Sequence, residues 1–377
     1  MYRPLALLLA FYLCVAGVWA VATTPWSGGG GPAPSAAAAL VPAGTPTRPG
    51  AVPSTEPSTT PSPAAPTVPA VWTLSTLRNY LVAEATVKDP GVALADLERI
   101  TVKSPYVDGF CHPIAHDLGH TALVKYHGDF TKAMSFPNDV CGSGYLHGIV
   151  EEKLQEMPNP ATAVTTLCGP AQTPACIHGI GHGTMFVSHL DVPAAERMCD
   201  RFPKDYQVTA CSEGIFMQLF EPDESDPTAL AKLPDDKLAG EPQYPCAEQP
   251  ADYQSACYFY APIYYLQTHD YTVHPEAFVQ GLAWCLKAPT NDSRSACSRG
   301  MGSRTMKYNI DRPVWVGEQC QRAPAAWQRQ DCAAGMVSYW NVNYGDRTAA
   351  RTSLCPKLSG EANANCRRSA PGSSSAD

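Results

Sequence analysis

Apolar and polar positions divide the chain into three regimes. Residues 5 to 22, LALLLAFYLCVAGVWAVA, form an uncharged apolar run, and residues 23 to 70 carry Pro, Ala, Thr, Ser and Gly without periodicity. From about residue 71, apolar residues return at helical spacing in short segments that end at a cysteine. VPAAERMC ending at Cys199, HPEAFVQGLAWC ending at Cys285 and RPVWVGEQC ending at Cys320 begin with or near a proline, which predicts a first helix closing near each cysteine. A polar stretch with turn residues follows, for example LKAPTNDSRSA. A second cysteine then opens another apolar segment: CGSGYLHGIVEE from Cys141, CIHGIGHGTMFV from Cys176, CSEGIFMQLFEP from Cys211, CSRGMGSRTMKY from Cys297 and CAAGMVSYWNVN from Cys332. The pattern predicts helical hairpins in series.

Cysteine spacing sharpens this. Cys111, Cys141, Cys176, Cys211, Cys257, Cys297, Cys332 and Cys366 advance by about 35 residues, with longer steps on both sides of Cys257. The predicted fold is therefore all-α, a disulfide-laddered series of helical-hairpin repeats, solenoid or toroid-like. Near-constant separations predict local bridges Cys168–Cys176, Cys199–Cys211, Cys246–Cys257, Cys285–Cys297, Cys320–Cys332 and Cys355–Cys366, each joining the end of helix A to the start of helix B. Cys111 and Cys141 lack a cysteine about a dozen residues upstream, so they pair with each other or serve as thiolate ligands. Gly144, Gly179, Gly214, Gly300 and Gly335 all follow the second cysteine by three residues and fall one turn into helix B. Glycine there costs about 1 kcal/mol relative to alanine, and close helix approach is the compensation. The segment CYFYAPIYYL from Cys257 departs from the pattern, with Tyr260 at the glycine position and Pro262 inside.

Composition assigns the compartment. Fourteen cysteines beyond the apolar run, in a chain with an export segment, read as up to seven disulfides. The run at 5–22 is long for a cleaved signal, so residues 1–22 are read as a signal-anchor or signal peptide. The proline-rich 23–70 is an extracytoplasmic stalk, 71–368 the cysteine-rich helical domain with its histidine-rich repeats within 105–195, and 369–377 a polar tail. The expected location is the cell membrane, single-pass through residues 5–22 with the domain outside, or secretion as the alternative. A net charge of −8 with no basic cluster argues against nonspecific nucleic-acid binding.

Eight of the ten histidines lie between His112 and His189. His112, His116 and His120 follow one another at i, i+4 and i+8; His147 and Glu151, and His178 and His182, are i, i+4 pairs; Glu213 and Glu221 straddle Met217 at the matching offsets. A regular stack brings such columns side by side. Neutral imidazole ligates Zn, Cu and Fe and carboxylates complete mixed sites, so His112, His116, His120, His147, Glu151, His178, His182 and Glu213 are the candidate metal ligands. The glutamates are also candidate general bases. His127, His189, His269 and His274 are read as ordinary histidines. His116-Asp-Leu-Gly-His120 resembles a zincin helix but has Asp where that motif has Glu. Its His-Asp step resembles the dyad of HD-domain phosphohydrolases, but no histidine precedes His112 in the chain, and neither family is assigned. The paired His-x-x-x-His spacing is similar to that of type-3 dicopper proteins. Covalent haem has no Cys-x-x-Cys-His to attach to, while noncovalent haem is compatible with the histidines.

Elsewhere the Tyr253–Tyr271 aromatic run is read as a core helix, and Arg299, Arg304 and Lys307 as a solvated helical face. The functional expectation is an exported or anchored metal-binding protein with a mono- or dinuclear histidine centre, either an oxidoreductase or a hydrolase acting on a small molecule. The alternatives are noncatalytic metal or haem binding, and a helical scaffold engaging an extracytoplasmic protein or cell-wall polymer.

Overall fold

Side-chain caps set where the helices begin. Asp89 before Pro90, Thr173 before Pro174, Asp191 and Thr290 each accept a hydrogen bond from a backbone N–H in the first turn of the following helix. The computed structural model describes residues 66–68, 72–136, 141–169, 172–221, 243–344 and 347–370, all within the compact unit Pro61–Asp377. The apolar run at 5–22, nearly all of the stalk and the tail from 371 lie outside the described residues.

The described residues form helices and no strand. In chain order these are α1 (Leu74–Val87), α2 (Pro90–Lys103), α3 (Pro105–Asp108), α4 (Cys111–Lys125), α5 (Phe130–Ala133), α6 (Gly144–Glu156), α7 (Pro160–Ala163) and α8 (Pro174–Val187). The second half adds α9 (Val192–Cys199), α10 (Asp205–Phe220), α11 (Ala251–Thr268), α12 (Glu276–Cys285), α13 (Asn291–Lys307), α14 (Pro313–Gln321), α15 (Ala326–Asn343) and α16 (Gly360–Ser369). The long second helices of successive hairpins pack in chain order: α4 on α6, then α8, α10, α11, α13 and α15. The shorter first helices α9, α12 and α14 each pack against the second helix of their own hairpin and that of the hairpin before or the helix after.

All six expected local bridges form, and Cys111 pairs with Cys141 across 30 residues at a Cα separation of 5.4 Å. The thiolate-ligand alternative for that pair therefore falls away. Each 11- or 12-residue closure contributes about 2.5–3 kcal/mol in the chain-entropy account. Seven bridges mark a chain that folds in an oxidising compartment. Among the described residues no helix is long and apolar enough to cross a membrane.

One boundary differs from the sequence reading. Cys211, Cys257, Cys297 and Cys332 are not at the start of helix B but at its seventh position. The polar stretch read as a turn is largely the first turns of the helix. In LKAPTNDSRSA, Thr290 caps Ser293 N and the helix runs from Asn291. Gly214, Gly300 and Gly335 consequently sit mid-helix, where backbones cross. At Gly214 a Cβ would collide with the His178 carbonyl oxygen, and at Gly148 one would collide with that of His116. These glycines hold the α8–α10 and α4–α6 pairs at backbone contact, which side chains larger than hydrogen forbid.

A second difference concerns α13. Arg304 and Lys307, read as a solvated face, are buried, 7% and 5% exposed. Glu221, just past the end of α10, accepts hydrogen bonds from both. Arg299 and the remaining lysines and arginines carry no such pairing with Glu221 among the described contacts. The cause is position: residues three apart on α13 face a cavity whose lining draws on α4, α6, α8, α10, α11, α13 and α15. Of the Tyr253–Tyr271 run, Tyr253, Tyr258, Tyr260 and Tyr271 are buried as a core helix requires, although Tyr260 also lines that cavity.

Candidate metal centre

The close crossings of α4, α6 and α8 bring the histidine column together. Four imidazoles, His112 and His116 on α4, His147 on α6 and His182 on α8, each offer a ring nitrogen, and these atoms all lie within 4.8 Å of one another. His116, His147 and His182 are 4%, 4% and 2% exposed. Zinc–imidazole bonds of about 2.0–2.1 Å in a tetrahedron separate ligand nitrogens by about 3.3 Å, so small ring rotations bring this group to ligating distance.

Hydrogen bonds fix which nitrogen each ring presents. His112 Nδ1 lies 2.6 Å from the Cys141 carbonyl oxygen, so Nδ1 carries the proton and Nε2 the lone pair. That carbonyl is held by an unusual turn: Cys141, Gly142 and Ser143 all adopt positive φ, at 58°, 64° and 64°, immediately before α6. Two non-glycine residues in the left-handed region are strained, and the Cys111–Cys141 bridge and α6 hold them there. His116 Nδ1 donates to Glu151 Oε2 at 3.2 Å, which leaves its Nε2 as a lone pair 3.0 Å from His112 Nε2. His182 Nδ1 donates to Gln218 Oε1 at 2.9 Å, and its Nε2 is buried without a hydrogen-bond partner. His147 Nδ1 is likewise buried and unpartnered.

Three rings are thus oriented through Nδ1 by a carbonyl, a carboxylate and an amide, the outer arrangement that aims Nε2 at a metal. Two facing lone pairs at 3.0 Å, with two more orphaned ring nitrogens beside them, repel one another unless a proton or a metal ion lies between. The donor set fits a metal ion.

Electrostatics point the same way. Burial, reinforced by neighbouring imidazoles, holds His112, His147 and His178 well below the ordinary histidine range, and burial takes His182 down to about 4. These rings are neutral and ready to ligate at neutral pH. Glu151 is the opposite case. Burial would raise it, but His116, His120 and His182 around it outweigh burial and hold it well below the usual carboxylate range. Glu151 is thus a buried anion beside the four rings, as Glu221 is at the edge of the recess beside them.

The other sequence candidates occupy distinct places. His120 Nε2 meets Glu151 Oε2 at 2.9 Å, the same oxygen that accepts from His116; burial opposes its charge, yet Glu151 raises it above the ordinary value. The His178 ring is tilted against those of His147 and His182, with centroids 4.9 Å and 5.0 Å away, and lines the cavity. Glu213 is not in the four-membered group; it lines the same cavity, where burial raises its carboxyl. Sequence reading missed Gln218 and the Cys141 carbonyl. Gln218 follows Met217 of the histidine column by one residue, a weak signal, and a backbone oxygen leaves none.

The four rings sit between two spaces. His112, His147 and His178 line a cavity of about 530 Å³, while His112, His116 and His182 line a recess of about 40 Å³ closed by Gln218, Glu221 and Lys307. A ligand in the large cavity has direct access to the imidazoles, and the volume suits a small organic molecule. Comparison with protein-family models, with curated proteins and with solved structures found no match to this chain.

Proposed function

We propose that this is an exported protein carrying one mononuclear metal ion on His112, His116, His147 and His182. Glu151 and Gln218 orient two of those ligands from behind, and the Cys141 carbonyl orients a third. The observation that carries the reading is the convergence of four ring nitrogens, three of them fixed by Nδ1 hydrogen bonds, with the Nε2 of His182 and the Nδ1 of His147 left buried and unpartnered. An all-imidazole set favours Zn, Cu or Fe over Mg or Ca. Convergence within 4.8 Å suits one ion rather than a macrocycle standing between opposed rings, and this favours a metal centre over noncovalent haem. The large cavity beside the centre supports catalysis on a small molecule over passive storage, with the ion supplying Lewis-acid or redox chemistry and His178 and Glu213 within the cavity available to move protons. Residues 5–22 and the proline-rich segment would tether the domain outside the membrane.

The test is metal content by elemental analysis on full-length protein folded in an oxidising compartment. His116→Ala and His182→Ala should each lose most of the metal while keeping helical circular dichroism and no free thiols beyond Cys14. His269→Ala and His274→Ala should retain it, since both rings lie outside the group. Equal metal content in all four variants would remove the proposal.

A further inference from the structure

A second group of buried polar side chains lines the same cavity, contributed by α11, α13 and α15. Arg304 donates from Nη1 to Glu221, 3.2 Å from Oε1 and 3.4 Å from Oε2, and from Nη2 to Ser303 Oγ at 3.2 Å. Its Nε is buried with no partner. Lys307 donates to the same Glu221 carboxylate. Two buried cations therefore share the Glu221 carboxylate, and the Arg304 guanidinium keeps one donor, Nε, without a partner. Two further acids line the cavity, Asp108 and Glu213, and burial raises both, Asp108 to about 6. Arg347 adds a third cation to the lining.

The surroundings of Arg304 are aromatic. Its guanidinium carbon lies 5.2 Å from the Tyr260 ring centroid, 5.5 Å from Tyr339 and 5.7 Å from Phe259. Neither the Tyr260 nor the Tyr339 hydroxyl hydrogen-bonds to another described residue, and both residues line the cavity. A planar guanidinium with an unpaired donor, packed against aromatic ring faces in a cavity that two tyrosines also line, has the chemistry that recognises a carboxylate on an apolar body.

We infer that the cavity binds a small organic carboxylate, its anionic group at Arg304 and the Tyr260 and Tyr339 hydroxyls, and its apolar body along Phe259 and Met217 toward the imidazoles. This names a substrate class for the metal centre proposed above and in that respect rests on it. The anion subsite itself requires no metal.

The experiment uses full-length protein, both chelator-treated and metal-loaded, in thermal-shift and calorimetric titrations. The probes are acetate, hexanoate, benzoate and 2-naphthoate, each with its matched primary amide, together with inorganic phosphate. The larger carboxylates should raise the melting temperature and bind about tenfold or more tightly than their amides, as expected for a charge-assisted pair. Arg304→Gln should abolish that preference. Tyr339→Phe, which removes one hydroxyl and leaves the Arg304–Glu221 pair in place, should weaken carboxylate binding several-fold and keeps the test alive if Arg304→Gln does not fold. Carboxylates no better than amides in the wild type, a preference intact in both variants, or phosphate binding more tightly than any carboxylate would each overturn the inference. Carboxylate preference in a protein that takes up no metal would sink the metal reading alone. Stoichiometric metal without carboxylate preference would sink this one alone.

Discussion

Replacing Gly148 with alanine probes how the imidazoles are brought together. On α6 the added Cβ would lie 2.8 Å from the His116 carbonyl carbon and 2.9 Å from its Cα, and it would collide outright with the carbonyl oxygen. Carbon contacts open at about 3.5 Å, so α4 must retreat by roughly 1 Å along the crossing. The obstacle is backbone, with no rotamer to escape into, so the overpacking cost falls in the upper part of the usual range of about 1–3 kcal/mol. Alanine returns about 1 kcal/mol of helix propensity, leaving a net loss of about 2 kcal/mol. In a domain of this size that lowers the melting temperature by about 3 °C. The retreat carries His116 away from His147 and His182, and metal affinity should fall by at least about tenfold, as displaced outer partners of metal ligands commonly produce. Gly317→Ala is the comparator, because its tightest Cβ contact is the Leu358 Cδ2 methyl, at 2.9 Å, and that side chain can rotate. Its stability should stay within about 1 kcal/mol of wild type. Thermal melts and metal titrations on both variants give the answer. A Gly148→Ala protein as stable and as tight for metal as wild type would refute the argument that glycine contact between α4 and α6 assembles the centre.

Three other outcomes are expected. Cys111→Ser with Cys141→Ser removes a bridge closing 30 residues and should cost about 3.5 kcal/mol in denaturant melts; it should also weaken metal binding, because the Cys141 carbonyl orients His112. Glu196 is buried with Oε1 unpartnered, and burial together with Asp200 pushes it up to about 7, so its contribution to stability is present below about pH 4.5 and is lost as pH rises through 7, by about 3 kcal/mol at most. Glu196→Gln should therefore melt above wild type at pH 8 and about level with it at pH 4; higher stability of the wild type at pH 8 would reverse the sign and the argument. Glu151→Gln should keep the fold but weaken metal binding, since the amide carries no charge to offset the cation, and unchanged affinity would remove Glu151 from the account.

The helical class and the six local bridges were legible because both follow from local chemistry, whereas the Cys111–Cys141 bridge was one of two alternatives. Apolar stripes repeat at helical period, and cysteines 8 to 12 residues apart meet when two helices fold back on each other. The histidine column was legible because His147 and His182 fall at the same offset from the second cysteine and His116 one residue short of it, close enough to share a face. The sequence did not separate His182, which Gln218 aims inward, from His178 one turn earlier, or show that His120 pairs with Glu151. Those roles depend on contacts between residues 31 to 36 apart in the chain. Nor did it show that Arg304 and Lys307 are buried, because the charged and small residues of SRGMGSRTMK leave almost no apolar stripe. Their burial is set by Glu221, 83 residues away from Arg304.

The most direct test of the central claim is X-ray absorption at the metal edge on the reconstituted full-length protein, with Zn, Cu and Fe tried in turn. The account predicts one ion per chain with a first shell dominated by imidazole nitrogen, fitted by four histidines and reduced to three in His182→Ala. Failure of all three metals to bind stoichiometrically, or a shell with sulfur or with one histidine or none, would contradict it.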